Sequence, residues 1–293
     1  MTQTSLISKE RAAFHSLLLA GPLTSDSKGI LSIADKGSAI SRVISTELAK
    51  KLGSPRISKK GGGQTAGAAF ENIVARFLRA TFLSLKDLRP GSWEVLDTST
   101  GGKVQIANFT QYEHLLRLKE KADADPDLRA ILGGDYLIAP DVVVVRTSEP
   151  DKMINKSTRV VDMNTARLTP LRTTNSKGGE ARFLHASVSC KWTLRSDRAQ
   201  NARSEALNLL RNRKGHAPHV VAITAEPMPS RIASLALGTN DLDCVYHIAL
   251  PELIDVVKQS VSDERSGQLE MLEMLVSGKR LRDISDLPLD LAI

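Results

Sequence analysis

The residues best suited to chemistry are Asp141 behind Pro140, Lys191 in a Ser189-Cys190-Lys191 triplet, and Glu205 and Glu71 on amphipathic stretches. The run YLIAPDVVVVR, Tyr136 to Arg146, reads as a buried strand in which Asp141 shares a face with Val143 and Val145. A core-directed aspartate is costly unless it is paired or holds a metal. Pro140 marks a strand start or edge, where such a side chain can reach the surface. A second strand, about Phe183 to Leu194, alternates His185, Ser187, Ser189 and Lys191 on one face with Leu184, Ala186, Val188, Cys190 and Trp192 on the other. Helical geometry puts Glu205 beside Ala202 and Leu209, and Glu71 near Val74 and Leu78, each at the border of an apolar stripe. Taken singly, boundary glutamates are more often ordinary surface pairs. As a set, two acids and a lysine suit phosphodiester hydrolysis, which needs an activated water, neutralised charge at phosphorus and a stabilised leaving alkoxide. Asp141 and Glu205 can hold Mg²⁺, while Lys191 orients the water or stabilises the phosphorane.

Beside this set lies a basic cluster. Between Lys191 and Lys214 seven basic residues stand against Asp197 and Glu205, which points to a polyanion. Arg195, Asp197 and Arg198 sit where strand passes into helix, with Ser196 or Asp197 placed to cap it. Arginine forks match guanine O6 and N7, and a carboxylate accepts from cytosine N4, so these three fit a core of C and G. Two other readings share the features: a repair or structure-specific nuclease governed by DNA shape, and a non-catalytic DNA-binding protein in which Asp141, Lys191 and Glu205 are structural.

The elements that must position these residues alternate. Helical patterns cover Lys9 to Leu19, Ala39 to Leu52 (ending at Gly53), Ala68 to Leu85 and Tyr112 to Leu132 with a break near Pro126. A strand pair is expected from Trp93 to Phe109, and loop from Thr147 to Ser157. After the basic helix come strands at His219 to Ala225 and Leu242 to Leu250, a helix at Pro229 to Leu237, and two closing helices. The expected fold is α/β, a central mixed sheet flanked by helices in one domain over residues 1–293. The 293 residues carry a net charge of +7 and a 41% hydrophobic composition, ordinary for a globular protein. GGGQT lacks the GK[ST] of a phosphate-binding loop, and Cys190 and Cys244 form neither a zinc spacing nor a disulfide framework. With no signal pattern and no apolar run long enough for a membrane, a cytoplasmic protein is expected.

The order Pro140-Asp141, Ser189-Cys190-Lys191 and Glu205, with 49 residues between Asp141 and Lys191 and 13 between Lys191 and Glu205, resembles the PD-(D/E)XK nucleases whose second carboxylate has moved to the adjacent helix. More narrowly, SCKWTLRSDRAQNARSEALNLLRNRKG, TAEPMPSRIASLALG, GQTAGAAFE and GKRLRDISDLPLDLA resemble the CCGG-reading type II restriction endonucleases of the NgoMIV family. The likeness covers nearly the whole chain and is loosest in the first 60 residues and from Ser148 to Glu180. It implies a restriction-endonuclease-like fold and two Mg²⁺ ions bound by Asp141, with the Cys190 backbone carbonyl and Glu205 as further ligands. It also implies Lys191 as catalytic lysine, Glu71 as a supporting acid and Ser189 as part of the catalytic triplet. Arg195, Asp197 and Arg198 would read CCGG, Gln64 and Arg231 would make further DNA contacts, and Asp35 would read the outer G·C pair. Lys36 stands as an insertion between Asp35 and Gly37, which loosens the flanking assignment. Cleavage of GCCGGC after the first G, leaving a 5′ CCGG overhang, and a homotetramer acting on double-stranded DNA as a dimer of dimers are what the likeness implies.

Overall fold

Four consecutive valines, Val142–Val145, have no solvent exposure at all, and the sheet is built around them. The computed structural model describes residues 4–57, 63–98, 104–132, 138–176, 179–194, 196–238, 240–259 and 263–293, with side chains at 63–64, 129, 132, 196–199 and 263–266 outside that description. In chain order the elements are α1 (Leu6–Ala20), β1 (Thr24–Ser25), α2 (Ala39–Leu52), β2 (Arg56–Ile57), α3 (Gly63–Thr81), β3 (Trp93–Asp97), α4 (Glu113–Ala124) and α5 (Pro126–Leu132). There follow β4 (Val142–Thr147), α6 (Asp151–Ile154), β5 (Arg182–Lys191), α7 (Ser196–Asn212), β6 (His219–Thr224) and α8 (Pro229–Ala236). The chain closes with β7 (Cys244–His247), α9 (Leu250–Gln259), α10 (Asp263–Ser277), β8 (Leu281–Asp283) and α11 (Leu287–Asp290).

The main sheet has six strands in the order β3-β4-β5-β6-β7-β8. β3, β4 and β5 pair antiparallel, with Val142 opposite Val188, whereas β5 through β8 run parallel, with Val188 opposite Val221. The sheet is therefore mixed, as expected, and β5 is where its sense changes. Helices cover both faces. Phe70 of α3 meets Trp192 edge-on at 5.1 Å, while Ala202, Ala206 and Leu209 of α7 line a small cavity together with Ser187 and Ser189 on the other side. The α2 helix starts at Ser38, whose hydroxyl accepts the Ser41 N–H, and stops at Gly53, whose φ of 137° is one that a residue with a side chain rarely adopts.

Several expected boundaries shift. The strand expected from Tyr136 begins only at Val142; the described residues before it are irregular, because Pro140 has no N–H for the ladder and Asp141 turns toward β5. The second strand of the expected pair near Phe109 is instead a 3-10 turn at Ile106–Asn108. Part of the expected loop at Thr147 to Ser157 is the single helical turn α6, tied down by the Arg172–Asp151 ion pair at 2.6 Å. The strand expected at Leu242 to Leu250 is only Cys244–His247, and the C-terminal segment contributes a further strand, β8, at the sheet's edge. On β5 the strict alternation fails at His185, the extra residue of a β-bulge between the pairs Val144–Ala186 and Val145–Leu184. His185 packs instead among Phe82, Trp93 and His219, and burial pushes its imidazole down to about 4.

The N-terminal helix is locked to the far edge of the sheet by Arg11, which forms two hydrogen bonds to Glu252 and two to Asp283. Burial alone would raise the Asp283 carboxyl, yet Arg11 and Ser285 overcome it and hold it below the usual range; Glu252 is lowered in the same way. Arg11→Met should cost about 3 kcal/mol in urea unfolding, because it strands a buried carboxylate. Both folded-state values lie below the unfolded ones, so this stabilisation is complete at neutral pH and is lost as pH falls through the lowered carboxylate range. The wild-type and variant stability curves should accordingly converge in acid; a constant gap down to that range would contradict the assignment.

Candidate active site

Because β4 and β5 are antiparallel, the start of β4 lies beside the end of β5, and this brings Asp141 to Lys191. The Asp141 Oδ2 accepts the Cys190 N–H at 2.7 Å and the Lys191 ammonium at 3.2 Å. From the overlying α7, Glu205 Oε2 comes within 3.9 Å of Lys191 Nζ. Side-chain exposures of 15% for Lys191, 24% for Asp141 and 39% for Glu205 describe a rim that solvent reaches but does not flood. Glu71 comes from α3 on the opposite face, and its Oε2 accepts the Thr98 hydroxyl at 3.2 Å. Ser189 is buried one step before the lysine pair, its hydroxyl beside Glu205 and lowering that carboxyl, although it falls short of a well-formed hydrogen bond.

The electrostatics follow from three carboxylates facing one ammonium. Burial raises Glu71, and the charge of Asp141 raises it further. Glu205 is likewise raised, by burial first, with Lys191 pulling the other way. Burial would disfavour the Lys191 charge, but Asp141 and Glu205 more than offset it, so the ammonium is held above its ordinary value and stays cationic. The Cys190 thiol is pushed far up by burial, which removes it as a nucleophile.

Sequence patterns gave no sign of Asp97, the last residue of β3. It is buried at the same end of the sheet, paired with Arg79 at 3.1 Å, and adds to the negative field felt by Glu71 and Cys190. Its only mark in the sequence is an acid closing the strand WEVLD.

An excess of carboxylate over ammonium, with oxygen donors held by neighbouring backbone, is an environment that a hard divalent cation would relieve. Among the described residues no three His, Cys, Asp or Glu side chains gather as a ready-made metal cage. The donor set therefore fits an ion held by two carboxylates and completed by backbone or solvent oxygen.

The candidate DNA-reading residues fall in two groups. Arg195 lies outside the described residues; Asp197 and Arg198 are in the first turn of α7 and Gln64 in the first turn of α3, with their side chains outside the description. Arg231 and Asp35, far apart in sequence, meet in an ion pair. Asp35 is further fixed by the Gly37 N–H at 3.0 Å, and Arg231 lies 4.0 Å from the buried Glu226.

A mixed sheet covered by helices on both faces, with acids and a lysine at the strand ends, is a restriction-endonuclease-like fold. The NgoMIV restriction enzyme family matches residues 14–293. Over 289 residues the chain is 48% identical to the type II restriction enzyme NgoMIV of Neisseria gonorrhoeae, covering 98% of this chain and 99% of that protein. The chain belongs to the NgoMIV restriction enzyme family and is a type II restriction endonuclease, a site-specific enzyme whose macromolecular partner is DNA. Membership of this family suggests a divalent-metal requirement. No described helix is long and apolar enough to cross a membrane.

Proposed function

We propose that this enzyme, with Mg²⁺, hydrolyses double-stranded DNA at GCCGGC after the first G and leaves a 5′ CCGG overhang. The observation that carries the reading is the Asp141–Lys191–Glu205 cluster, with its 3.2 Å and 3.9 Å contacts at one end of the sheet. Asp141, Glu205 and the Cys190 backbone carbonyl would hold two Mg²⁺ ions. When bound, Mg²⁺ supplies Lewis-acid neutralisation of charge on the phosphate oxygens. Lys191, kept cationic by its two acids, orients the attacking water and stabilises negative charge as it develops on phosphorus. Glu71 supports the site from α3, and Ser189 belongs to the catalytic triplet, its hydroxyl beside Glu205. Arg195, Asp197 and Arg198 read the CCGG core from the head of the basic helix, Gln64 and Arg231 make further DNA contacts, and Asp35 addresses the outer pair.

We further propose one catalytic domain over the whole chain, acting as a homotetramer, a dimer of dimers holding two DNA copies. Supporting self-association, Met153, Val160, Met163 and Leu168 stand exposed along one excursion between β4 and β5. Sedimentation of the free protein should give four chains per particle; a monomer at micromolar concentration would refute this assembly. Both cysteines are buried and unpaired, which accords with a cytoplasmic setting.

The test uses Mg²⁺ and plasmids carrying no, one or two GCCGGC sites, with the ends sequenced afterwards, for the protein and its Lys191→Ala variant. Cutting confined to GCCGGC, lost in the variant and faster with two sites, is expected. Cutting at other CCGG-containing sites would remove the flanking roles of Asp35 and Arg231, and cutting indifferent to CCGG would remove the core assignment.

A further inference from the structure

Glu226, just past the end of β6, is a buried acid with no part in the chemistry above. It has no solvent exposure, yet both carboxylate oxygens are occupied: Oε2 accepts the Leu194 N–H at 2.8 Å, and Oε1 accepts the Met228 N–H at 3.2 Å. Its own N–H is taken by Thr224 Oγ1 at 3.1 Å. Leu194 is the residue before Arg195 and the head of α7, and Met228 is the N-cap of α8, which makes no side-chain cap bond of its own and carries Arg231. Arg231 reaches back to within 4.0 Å of Glu226 Oε2 and pairs through its other terminal nitrogen with Asp35.

A carboxylate in this position is expensive to bury, and a fold that needed only packing would be served better by an apolar side chain. What a carboxylate alone offers is two acceptor oxygens with lone pairs enough for two N–H groups and an arginine together. An isosteric amide keeps one acceptor and turns its NH₂ toward a backbone donor.

We propose that Glu226 is a positioning residue for sequence reading, a clamp that ties the segment leading into Arg195–Arg198 to the helix carrying Arg231. This rests on the reading in which those residues contact DNA. With the clamp intact, the core-reading and flank-reading elements approach the duplex as one rigid unit. Without it, the Leu194 junction and the start of α8 relax separately, and base contacts lose their common register while the Asp141–Lys191–Glu205 cluster keeps its own supports.

The experiment compares wild type, Glu226→Gln and Glu226→Asp in single-turnover cleavage with Mg²⁺. The rate is measured at the site that the wild type cuts and at sites altered by one base pair. The ratio of the two rates should fall by about tenfold or more in both variants, with the rate at altered sites held or raised. A role in folding alone would lower both rates together and leave the ratio unchanged, and that result would overturn the proposal.

If neither variant folds, the wild type decides. Burial pushes the Glu226 carboxyl up to about 7, and Arg231 and Asp35 are the charged groups facing it, while the buried His247 is held down to about 4 and stays neutral. The discrimination ratio should then be lower at about pH 6 than at about pH 8, and a flat ratio would overturn the proposal. A wild-type site without a CCGG core would count against the assigned readers, whereas an unchanged ratio at GCCGGC would count against Glu226 alone.

Discussion

Lys191→Ala is expected to lower single-turnover cleavage by at least about 10²–10³-fold while leaving DNA affinity, measured without cleavage in Ca²⁺, nearly unchanged. The expectation follows from what surrounds the ammonium. It lies 3.2 Å from Asp141 and 3.9 Å from Glu205, is mostly shielded from solvent, and is the sole cation in direct contact with these acids among the described contacts. Removing it leaves the carboxylates facing one another without a counter-charge, so on the proposed mechanism the variant would lose both charge stabilisation at phosphorus and the group that offsets the acids' mutual repulsion. Asp141→Asn should be at least as damaging, since it removes the negative charge paired with Lys191. Lys191→Arg should not restore the rate, because a planar fork replaces a compact point charge. Near-wild-type rates in Lys191→Ala would show that the cluster is structural, and the nuclease chemistry would have to be sought elsewhere in the chain.

How much of this was legible in the sequence depended on whether the signal was local. The YLIAPDVVVVR run announced a central strand and an acid at its head, and the SCK triplet placed the lysine on another, which ends at Lys191 and not at the expected Leu194; the antiparallel pairing of β4 and β5 then does the rest. Period and capping likewise gave α2 its end at Gly53 and split α4 from α5 at Pro126, since each boundary is set by one residue's backbone chemistry. The misses are non-local. The bulge at His185 depends on register against β4, and β8 is too short to carry a periodic signal of its own. Asp97 and Glu226 read as ordinary acids at strand ends and become informative only when burial and partners are known. The meeting of Asp35 with Arg231 across the fold had no periodic signal at all.

Arg195→Ala and Arg198→Ala should each cost roughly 1–3 kcal/mol of discrimination at a guanine of the core, about 5- to 150-fold. The N-terminus of α7 follows closely in sequence on the strand that bears Lys191, so residues there would meet the same duplex whose phosphate the cluster would address. On the proposed reading Asp197 would supply the complementary acceptor for cytosine, which is why two arginines with one aspartate suit CCGG better than a basic patch alone. The remaining basic residues of the stretch, such as Arg211, Arg213 and Lys214, would fall in a different category on this reading. Contacts of that kind with phosphates strengthen binding to every sequence and raise its salt dependence. The two categories separate in one experiment, in which affinities for GCCGGC and for singly altered sites are measured at two salt concentrations in Ca²⁺. Arg198→Ala should weaken binding to GCCGGC while changing altered-site binding little, whereas Arg213→Ala should weaken both alike and flatten the salt slope. Equal losses at all sites in Arg195→Ala and Arg198→Ala would move these arginines into the phosphate-binding class, and base reading would then have to come from another element.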